Sequence, residues 1–212
     1  MREEMIMRNL AMSLVMASLV SAPMVAMAES PWTVKIGVSQ INPKSDNGSL
    51  AGGAVEADVS SEVGFTPAIE YTFSPNIVGE VLLAIPFDHD VKDTKSNTKI
   101  ASFKHLPPTF TAKYLFSPDA SFSPYVGLGL NYTLVYDEKT TGVIAGAKLK
   151  GKDSFGLAAT VGFEYRIPNS QWGVAADLRY VKIKSDLTLN GADIGTLTVD
   201  PTVLGVSAVY HY

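Results

Sequence analysis

The sequence contains no cysteine, so it has no disulfide, no thiolate metal ligand and no cysteine nucleophile. Charge is also sparse, because 18% of the residues are charged and the formal net charge is −4. The chain therefore lacks the basic excess expected of a nucleic-acid-binding protein, and we expect no nucleic-acid partner. Apolar residues make up 46% of the 212 positions, which is too large a fraction for a disordered protein.

The N-terminal segment is typical of an export signal. Residues 10–28 carry no charge and end in Ala26-Met27-Ala28, the small-x-small pattern of a signal-peptidase site. We expect cleavage after Ala28, with residues 1–28 removed and residues 29–212 forming one folded domain. The alternative is an uncleaved anchor, since 19 uncharged residues could just span a bilayer.

The remaining sequence shows hydrophobic alternation with a period of two, which is typical of strands with two different faces. In the segment 77–87, for example, one face carries Val81, Leu83, Ile85 and Phe87, and the other carries Glu80, Leu82 and Ala84. We predict eight strands, at about 32–39, 65–72, 77–87, 109–116, 125–136, 154–165, 172–180 and 204–212.

The connections between these strands alternate in length. The short ones contain proline with Asn, Asp or Ser, which favours turns, and lie at 73–76, 117–121 and 167–170. The long ones are predicted as loops at about 40–62, 88–98, 137–153 and 184–198. This pattern predicts an all-β fold, an eight-stranded antiparallel up-and-down barrel with both termini at the short-turn end.

The composition of the two strand faces indicates a transmembrane barrel rather than a soluble, lipocalin-like one. The apolar face carries aromatic residues near strand ends, as membrane-interface belts require. The other face is rich in small residues and fits a narrow lumen. Its few charges nearly balance, and they must pair because an isolated buried charge is costly. This lumen charge network is Lys35, Glu70, Glu80, Lys113, Glu164, Asp177 and Arg179.

Three segments resemble the OmpW family of outer-membrane proteins. They are Leu82–His89, the block His105-Leu106-Pro107-Pro108-Thr109, and Tyr125–Thr133. The resemblance implies an eight-stranded barrel with a narrow, partly apolar lumen that takes up small hydrophobic compounds passively across a Gram-negative outer membrane. It also implies contact with outer-membrane lipid and lipopolysaccharide. Recognition by the barrel-assembly machinery would use the C-terminal strand, which ends in the aromatic Tyr212.

Four residues are candidates for the solute path. An eight-stranded barrel is too narrow for a wide water channel, so an apolar solute entering from outside would leave sideways between strands. Leu82 lies on the lumen face and matches a constriction position of the family. Pro107 and Pro108 cannot donate ladder hydrogen bonds and could open the wall, or could simply end a strand at the rim. Arg179 stands where better-known members carry Trp, and makes the lumen more polar.

No residue pattern indicates catalysis. No serine, histidine and carboxylate are placed together by a motif, so we expect no catalytic residues, no cofactor and no metal. His89 and His105 could form a metal-binding or pH-sensitive pair, but two solvated rim histidines are the simpler interpretation. The alternative to a conduit is a non-transporting surface barrel with a receptor, adhesion or envelope-stress role.

Overall fold

The computed structural model describes residues 30–212, and the predicted signal peptide lies outside them. No helix in this part of the chain is long and apolar enough to cross a membrane. The chain forms strands joined by turns and two short 3-10 segments. The strands are β1 (Trp32–Asn42), β2 (Gly48–Leu50), β3 (Val55–Val59), β4 (Glu62–Phe65), β5 (Ala68–Ser74), β6 (Ile77–Leu82), β7 (Phe87–Asp93), β8 (Thr98–Leu106), β9 (Thr109–Leu115), β10 (Phe122–Thr140), β11 (Leu149–Gly151), β12 (Ser154–Arg166), β13 (Trp172–Val181), β14 (Lys184–Leu189), β15 (Ala192–Thr198) and β16 (Thr202–His211).

Eight strands close into an antiparallel barrel, as predicted. Going round the wall, the order is β12, β13, β16, β1, β5, β6, β9 and β10, and β10 pairs back with β12. β5 pairs with the first half of β1 and β4 pairs with its second half, so the two together fill one place in the ring. The first and last strands are neighbours, with Thr33 opposite His211. Closure leaves no free edge in this ring, which a strand structure inside lipid requires.

The outward face of the barrel is apolar and exposed, as the alternation predicts. Leu128, Phe155 and Leu157 are each at least 65% exposed, which suits side chains in contact with lipid tails. Exposed aromatic residues cluster toward the short-turn end, where β1 begins and β16 ends. They include Trp32, Phe73, Tyr114, Phe116, Phe122, Tyr165, Trp172 and Tyr212.

The four long connections are not plain loops, which corrects the prediction for them. They contain β2, β3, most of β7, β11, β14 and β15, and β10 continues to Thr140. β8 begins at Thr98, at the end of the second connection, and runs to Leu106. The connection at 184–198 is a hairpin whose turn, Asn190-Gly191, has positive φ at both residues (52° and 86°). Together these strands form an extension at the long-connection end of the barrel, with an apolar core of its own. That core comprises Leu50, Ala57, Val59, Val91, Ile100, Ala101, Phe103, Ala158, Val181, Ile183, Leu187, Leu197 and Val199.

The predicted strand 77–87 is broken, and one of its residues faces the wrong way. β6 ends at Leu82 and β7 begins at Phe87, with Pro86 between them. Proline has no N–H for a ladder and is confined to edges and breaks. Ile85 stays exposed to lipid at 51%, but Phe87 turns inward and is only 4% exposed.

Candidate functional site

A cluster of ion pairs fills the lumen toward the short-turn end. Lys113 Nζ donates hydrogen bonds to Glu70 and to Glu80 Oε2, the latter at 3.0 Å. Lys35 Nζ lies 2.7 Å from Glu70 Oε1 and 3.6 Å from Glu80 Oε2. All four residues are at most 5% exposed. The alternation of β1, β5, β6 and β9 points them inward, so these strands bring opposite charges together.

Arg179 on β13 joins this cluster from the other side of the barrel. Its Nη2 lies 3.3 Å from Glu80 Oε1 and 3.2 Å from Asp177 Oδ1. Tyr125 also packs here, with its ring centroid 4.3 Å from Lys113 Nζ. A Cβ on Gly162 would stand 2.8 Å from the Tyr125 ring. Glycine at this position therefore leaves room for the Tyr125 ring. The cluster therefore fills this half of the lumen with paired charge.

Glu164 belongs to a separate group nearer the strand ends. Its Oε1 lies 2.7 Å from His211 Nε2 and 3.2 Å from Arg166 Nε. His211 Nδ1 in turn lies 3.0 Å from Thr33 Oγ1. Six of the seven predicted lumen charges thus meet in one cluster, while Glu164 pairs with His211 and Arg166. The sequence analysis did not assign these two partners.

The half of the molecule at the long-connection end contains an apolar cavity of about 220 Å³. It lies inside the extension that the long connections form, and most of its lining is aliphatic or aromatic. Its walls include Leu50, Val91, Ile100, Phe103, His105, Val135, Ile144, Leu149, Ile183, Leu187, Ile194, Leu197 and Val199. We call it the upper cavity. It is the kind of concave apolar space that small molecules occupy, although sequence alternation alone gave no signal for it.

A smaller cavity of about 30 Å³ lies below and is called the lower cavity. Three of the four predicted path residues, Leu82, Pro107 and Arg179, line it. His105 and Ile183 line both cavities, so they form the wall that the two share. The structure therefore places Leu82 beside Arg179, between the upper cavity and the charge cluster.

The barrel wall is interrupted next to the lower cavity. The β6–β9 ladder ends at Leu82 opposite Thr109, and the β7–β8 ladder begins at Phe87 opposite His105. Between these points, within the described chain, no backbone pairing joins 83–86 to 106–108. We call this interruption the wall gap. Pro107 and Pro108 lie on one side of it and Pro86 on the other.

On the side away from the wall gap, Asn131 of β10 holds the double proline by hydrogen bonds. Its Nδ2 donates to the carbonyl oxygens of Pro107 and Pro108, each at 3.2 Å, and to Thr109 Oγ1 at 3.0 Å. Tyr132 N also donates to Pro108 O at 3.1 Å. The prolines are therefore tied to β10 but not to β6 and β7, which confines the wall gap to one side. The sequence analysis missed Asn131. Its sequence signal is an amide among the small residues of the lumen face of β10, and the structure shows that it is fully buried.

His89 and His105 are buried, so the interpretation as two solvated rim histidines is wrong. Their rings stack 4.7 Å apart at 6°, between Phe87 and Phe103, and their exposed fractions are 0% and 1%. The outward face of β7 and β8 carries charged residues, so this stack lies outside the membrane-spanning segments. Burial lowers the pKa of His105 to about 3 and lowers that of His89 as well. Both imidazoles are therefore neutral at pH 7.

Residues 30–212 contain no group of three or more His, Asp or Glu side chains placed to bind a metal ion. The histidine stack supplies two rings in parallel planes rather than a set of converging ligands. The chemistry that these side chains offer is an apolar upper cavity, a largely apolar lower cavity edged by His105, Asn131 and Arg179, and a cluster of paired charges. This combination suits binding of a small, largely apolar molecule.

Comparison with known proteins agrees with this architecture. The model of the OmpW family matches residues 29–212. Outer membrane protein W of Vibrio cholerae is 37% identical over 209 residues, covering 93% of this chain and 96% of that protein. The crystal structure of the outer membrane protein OprG from Pseudomonas aeruginosa superimposes with a TM-score of 0.75 at 25% identity, covering 87% of this chain and 97% of that one.

A further relative carries a name that refers to a chemical compound. The dibenzothiophene metabolism operon protein PahQ of Pseudomonas aeruginosa is 25% identical over 168 residues, covering 74% of this chain and 76% of that protein. The names of these relatives are those of outer-membrane or operon proteins, and none is that of an enzyme.

Proposed function

Because the chain belongs to the OmpW family of outer-membrane proteins, we propose that it is a passive conduit for small hydrophobic compounds. The observation that carries the proposal is the upper cavity, about 220 Å³ of apolar space in the extracellular half. Transfer of an apolar solute from water to such a lining is favourable, because it removes apolar surface from water. The name of the relative PahQ refers to the metabolism of an apolar aromatic compound, which is consistent with this solute class.

The proposed route runs from the upper cavity past His105 and Leu82, and then sideways. The plug of paired charges below Leu82 opposes passage of an apolar solute to the periplasmic end, because the solute would have to displace buried ion pairs. The wall gap is beside the lower cavity and has no ladder hydrogen bonds to break. We therefore propose exit through the gap between 83–86 and Pro107-Pro108, into the outer leaflet or the bilayer core.

The same proposal covers the surroundings of the barrel. Residues 1–28 would be removed on export, and lipopolysaccharide would surround the extracellular extension. The C-terminal strand, ending in Tyr212, would be the part that the assembly machinery recognises. Tyr212 is 39% exposed and packs edge-on against Tyr210, so an aromatic end is available on the outer face.

The test is uptake of radiolabelled octane by cells that express the protein and by cells that lack it. We expect faster uptake with the protein, at matched outer-membrane levels of other proteins. Equal uptake would contradict the conduit and favour a non-transporting surface barrel with a receptor, adhesion or envelope-stress role. A porin-permeable sugar serves as the control, because its uptake should not change.

A further inference from the structure

Two buried polar atoms on the proposed route have no hydrogen-bond partner within residues 30–212. They are Nε2 of His105 and Nε of Arg179, in residues that are 1% and 3% exposed. Both residues line the lower cavity. Buried polar atoms are nearly always hydrogen-bonded, and an unpaired one is costly. Most of the lower cavity's lining is apolar, so these two atoms favour an occupant that carries a single hydrogen-bonding group.

The two cavities together fit a molecule with one polar end. The lower cavity, about 30 Å³, has room for a water molecule or a head group of a few atoms. It meets the upper cavity at the shared wall of His105 and Ile183. The upper cavity is apolar and several times larger, and so suits a hydrocarbon tail. A tail in the upper cavity would place its head group beside His105 and Arg179.

The charges around Arg179 indicate that this head group is neutral. Arg179 Nη2 already contacts the carboxylates of Glu80 and Asp177. The cluster holds three cations and three carboxylates: Lys35, Lys113, Arg179, Glu70, Glu80 and Asp177. A solute carboxylate would add an unpaired negative charge to this buried group. Arg179 Nε–H can only donate a hydrogen bond, so the head group needs an oxygen acceptor.

Resting on the proposed function, we propose that the preferred solutes are hydrocarbons with one neutral oxygen group, such as medium-chain alcohols, aldehydes or ketones. The oxygen accepts a hydrogen bond from Arg179 Nε–H and contacts the His105 imidazole, which can donate or accept. The tail occupies the upper cavity. Arg179 and His105 therefore determine specificity within a conduit that is otherwise apolar.

The test uses the processed chain in lipid nanodiscs with ¹⁵N-labelled arginine and labelled methyl groups. Arg166 and Arg179 are the two arginines of residues 29–212, so two Nε–H signals are expected. Arg166 Nε is held by Glu164 at 3.2 Å and serves as the internal reference. The probes are octane, 1-octanol and octanoate. Methyl signals of Ile100 and Leu187 report occupancy of the upper cavity.

We expect 1-octanol to shift the Arg179 Nε–H signal together with the methyl signals, and octane to shift the methyl signals alone. If 1-octanol moves the methyl signals but not Arg179, the head-group proposal is wrong while the conduit stands. If octanoate moves Arg179 at lower concentration than 1-octanol, the neutral class is wrong. If neither octane nor 1-octanol moves the methyl signals, the conduit and this proposal fail together.

A substitution tests the same idea by transport. His105→Phe keeps an aromatic ring in the stack and removes the polar atoms. We expect the ratio of 1-octanol to octane uptake to fall roughly five- to tenfold, because one buried hydrogen bond is lost. Leu128→Ile, on the lipid-facing surface of β10 and away from both cavities, should leave the ratio unchanged. An unchanged ratio in His105→Phe would overturn the role of His105 as a head-group contact.

Discussion

At the scale of single residues, the lumen separates apolar from charged side chains within a short distance. Leu82 lines the lower cavity and Glu80, two residues earlier on the same face of β6, binds Lys113 and Arg179. The period of two along a strand makes such a sharp boundary possible, because successive inward residues lie in successive layers. Leu82 is therefore the last aliphatic side chain above the plug on this strand.

Leu82→Lys should slow octane uptake. The substitution places a positive charge next to Arg179 and against apolar walls, so an apolar solute meets a charged group on its path. The measurement is uptake by cells at matched outer-membrane levels of the parent and the variant. Leu82→Ile is the matched control, since it keeps an aliphatic side chain of equal size. Equal uptake by Leu82→Lys and the control would show that solutes do not pass this residue.

Glu80→Gln should destabilise the barrel. Glu80 contacts Lys35, Lys113 and Arg179, so its neutralisation leaves buried cations with fewer partners. Removing one partner of a buried pair costs about 3–5 kcal/mol. The measurement is the free energy of unfolding in urea, with the protein folded in phospholipid vesicles. Asp186→Asn, which removes an exposed partner of Lys152, should leave the midpoint unchanged. A Glu80→Gln midpoint equal to the parent's would show that the pairs are not buried from water.

The histidine stack should loosen as the pH falls. The folded pKa of His105 is about 3, whereas an unfolded histidine titrates near 6.5. Since the folded pKa is the lower one, the stability of the neutral stack is present above about pH 6.5 and is lost as the pH falls toward 3. Glu62, Asp88 and Asp90 oppose this by raising the pKa of His89, but burial outweighs them.

Hydrogen exchange checks this expectation. Amides of β7 and β8 should exchange faster at pH 5 than at pH 7, after correction for intrinsic rates. The double variant His89→Phe with His105→Phe should lose that pH dependence. Exchange that is independent of pH in the parent would contradict the linkage.

At the scale of elements, the wall is regular except where prolines interrupt it. Pro86 separates β6 from β7, and Pro107-Pro108 separates β8 from β9, so two neighbouring breaks face each other. Asn131 replaces the missing ladder bonds toward β10 only. The position of one amide thus decides which side of the double proline is open.

Pro107→Val together with Pro108→Val should slow octane uptake by closing the wall gap. Both valines supply the N–H groups that the prolines lack and favour extended backbone. Uptake is compared at matched outer-membrane levels. Pro118→Val, in the turn between β9 and β10, is the control because it lies far from the gap. Uptake by the double variant as fast as by the parent would contradict lateral exit.

The sequence predicted the ring of eight strands because lipid imposes a strict period of two on every outward face. It failed where the strands leave the membrane. There the residues pack on each other rather than on lipid, so β14 and β15 were predicted as loop despite the Asn190-Gly191 turn. It also failed at Phe87, because Pro86 breaks the ladder and the alternation restarts with the opposite face inward.

The same reasoning limits what could be predicted of the site. Charges on an inward face must pair, which predicts that the lumen charges meet. Which charge binds which depends on register and barrel closure, so Glu164 with His211 could not be foreseen. The upper cavity is formed by side chains from several distant connections, and no local pattern encodes it.

At the scale of the whole molecule, the two ends of the barrel differ in chemistry. Paired ions fill the lumen near the short turns, and the apolar extension with its cavity rises above the opposite end. In the proposed conduit, this difference between the ends sets the direction of entry without any moving part.

Export of this molecule should yield a chain that begins at Glu29. The Ala26-Met27-Ala28 motif supports cleavage at that bond, and β1 begins at Trp32, close behind it. Mass spectrometry of the protein from outer-membrane fractions measures its N-terminus. Ala28→Arg should block processing, while Glu29→Gln should not. Retention of residues 1–28 in the parent protein would contradict the prediction.

The pairing of β1 with β16 has a consequence for the order of events during biosynthesis. Thr33 bonds to His211, which the ribosome adds 178 residues later. The ring cannot close until the last strand has been made and delivered, and such a distant pairing is slow because a long loop must close first. A message truncated just before β16 would not give a slightly narrower barrel. It would leave β1 and β13 as bare edges, a species prone to aggregate and a natural target for proteolysis.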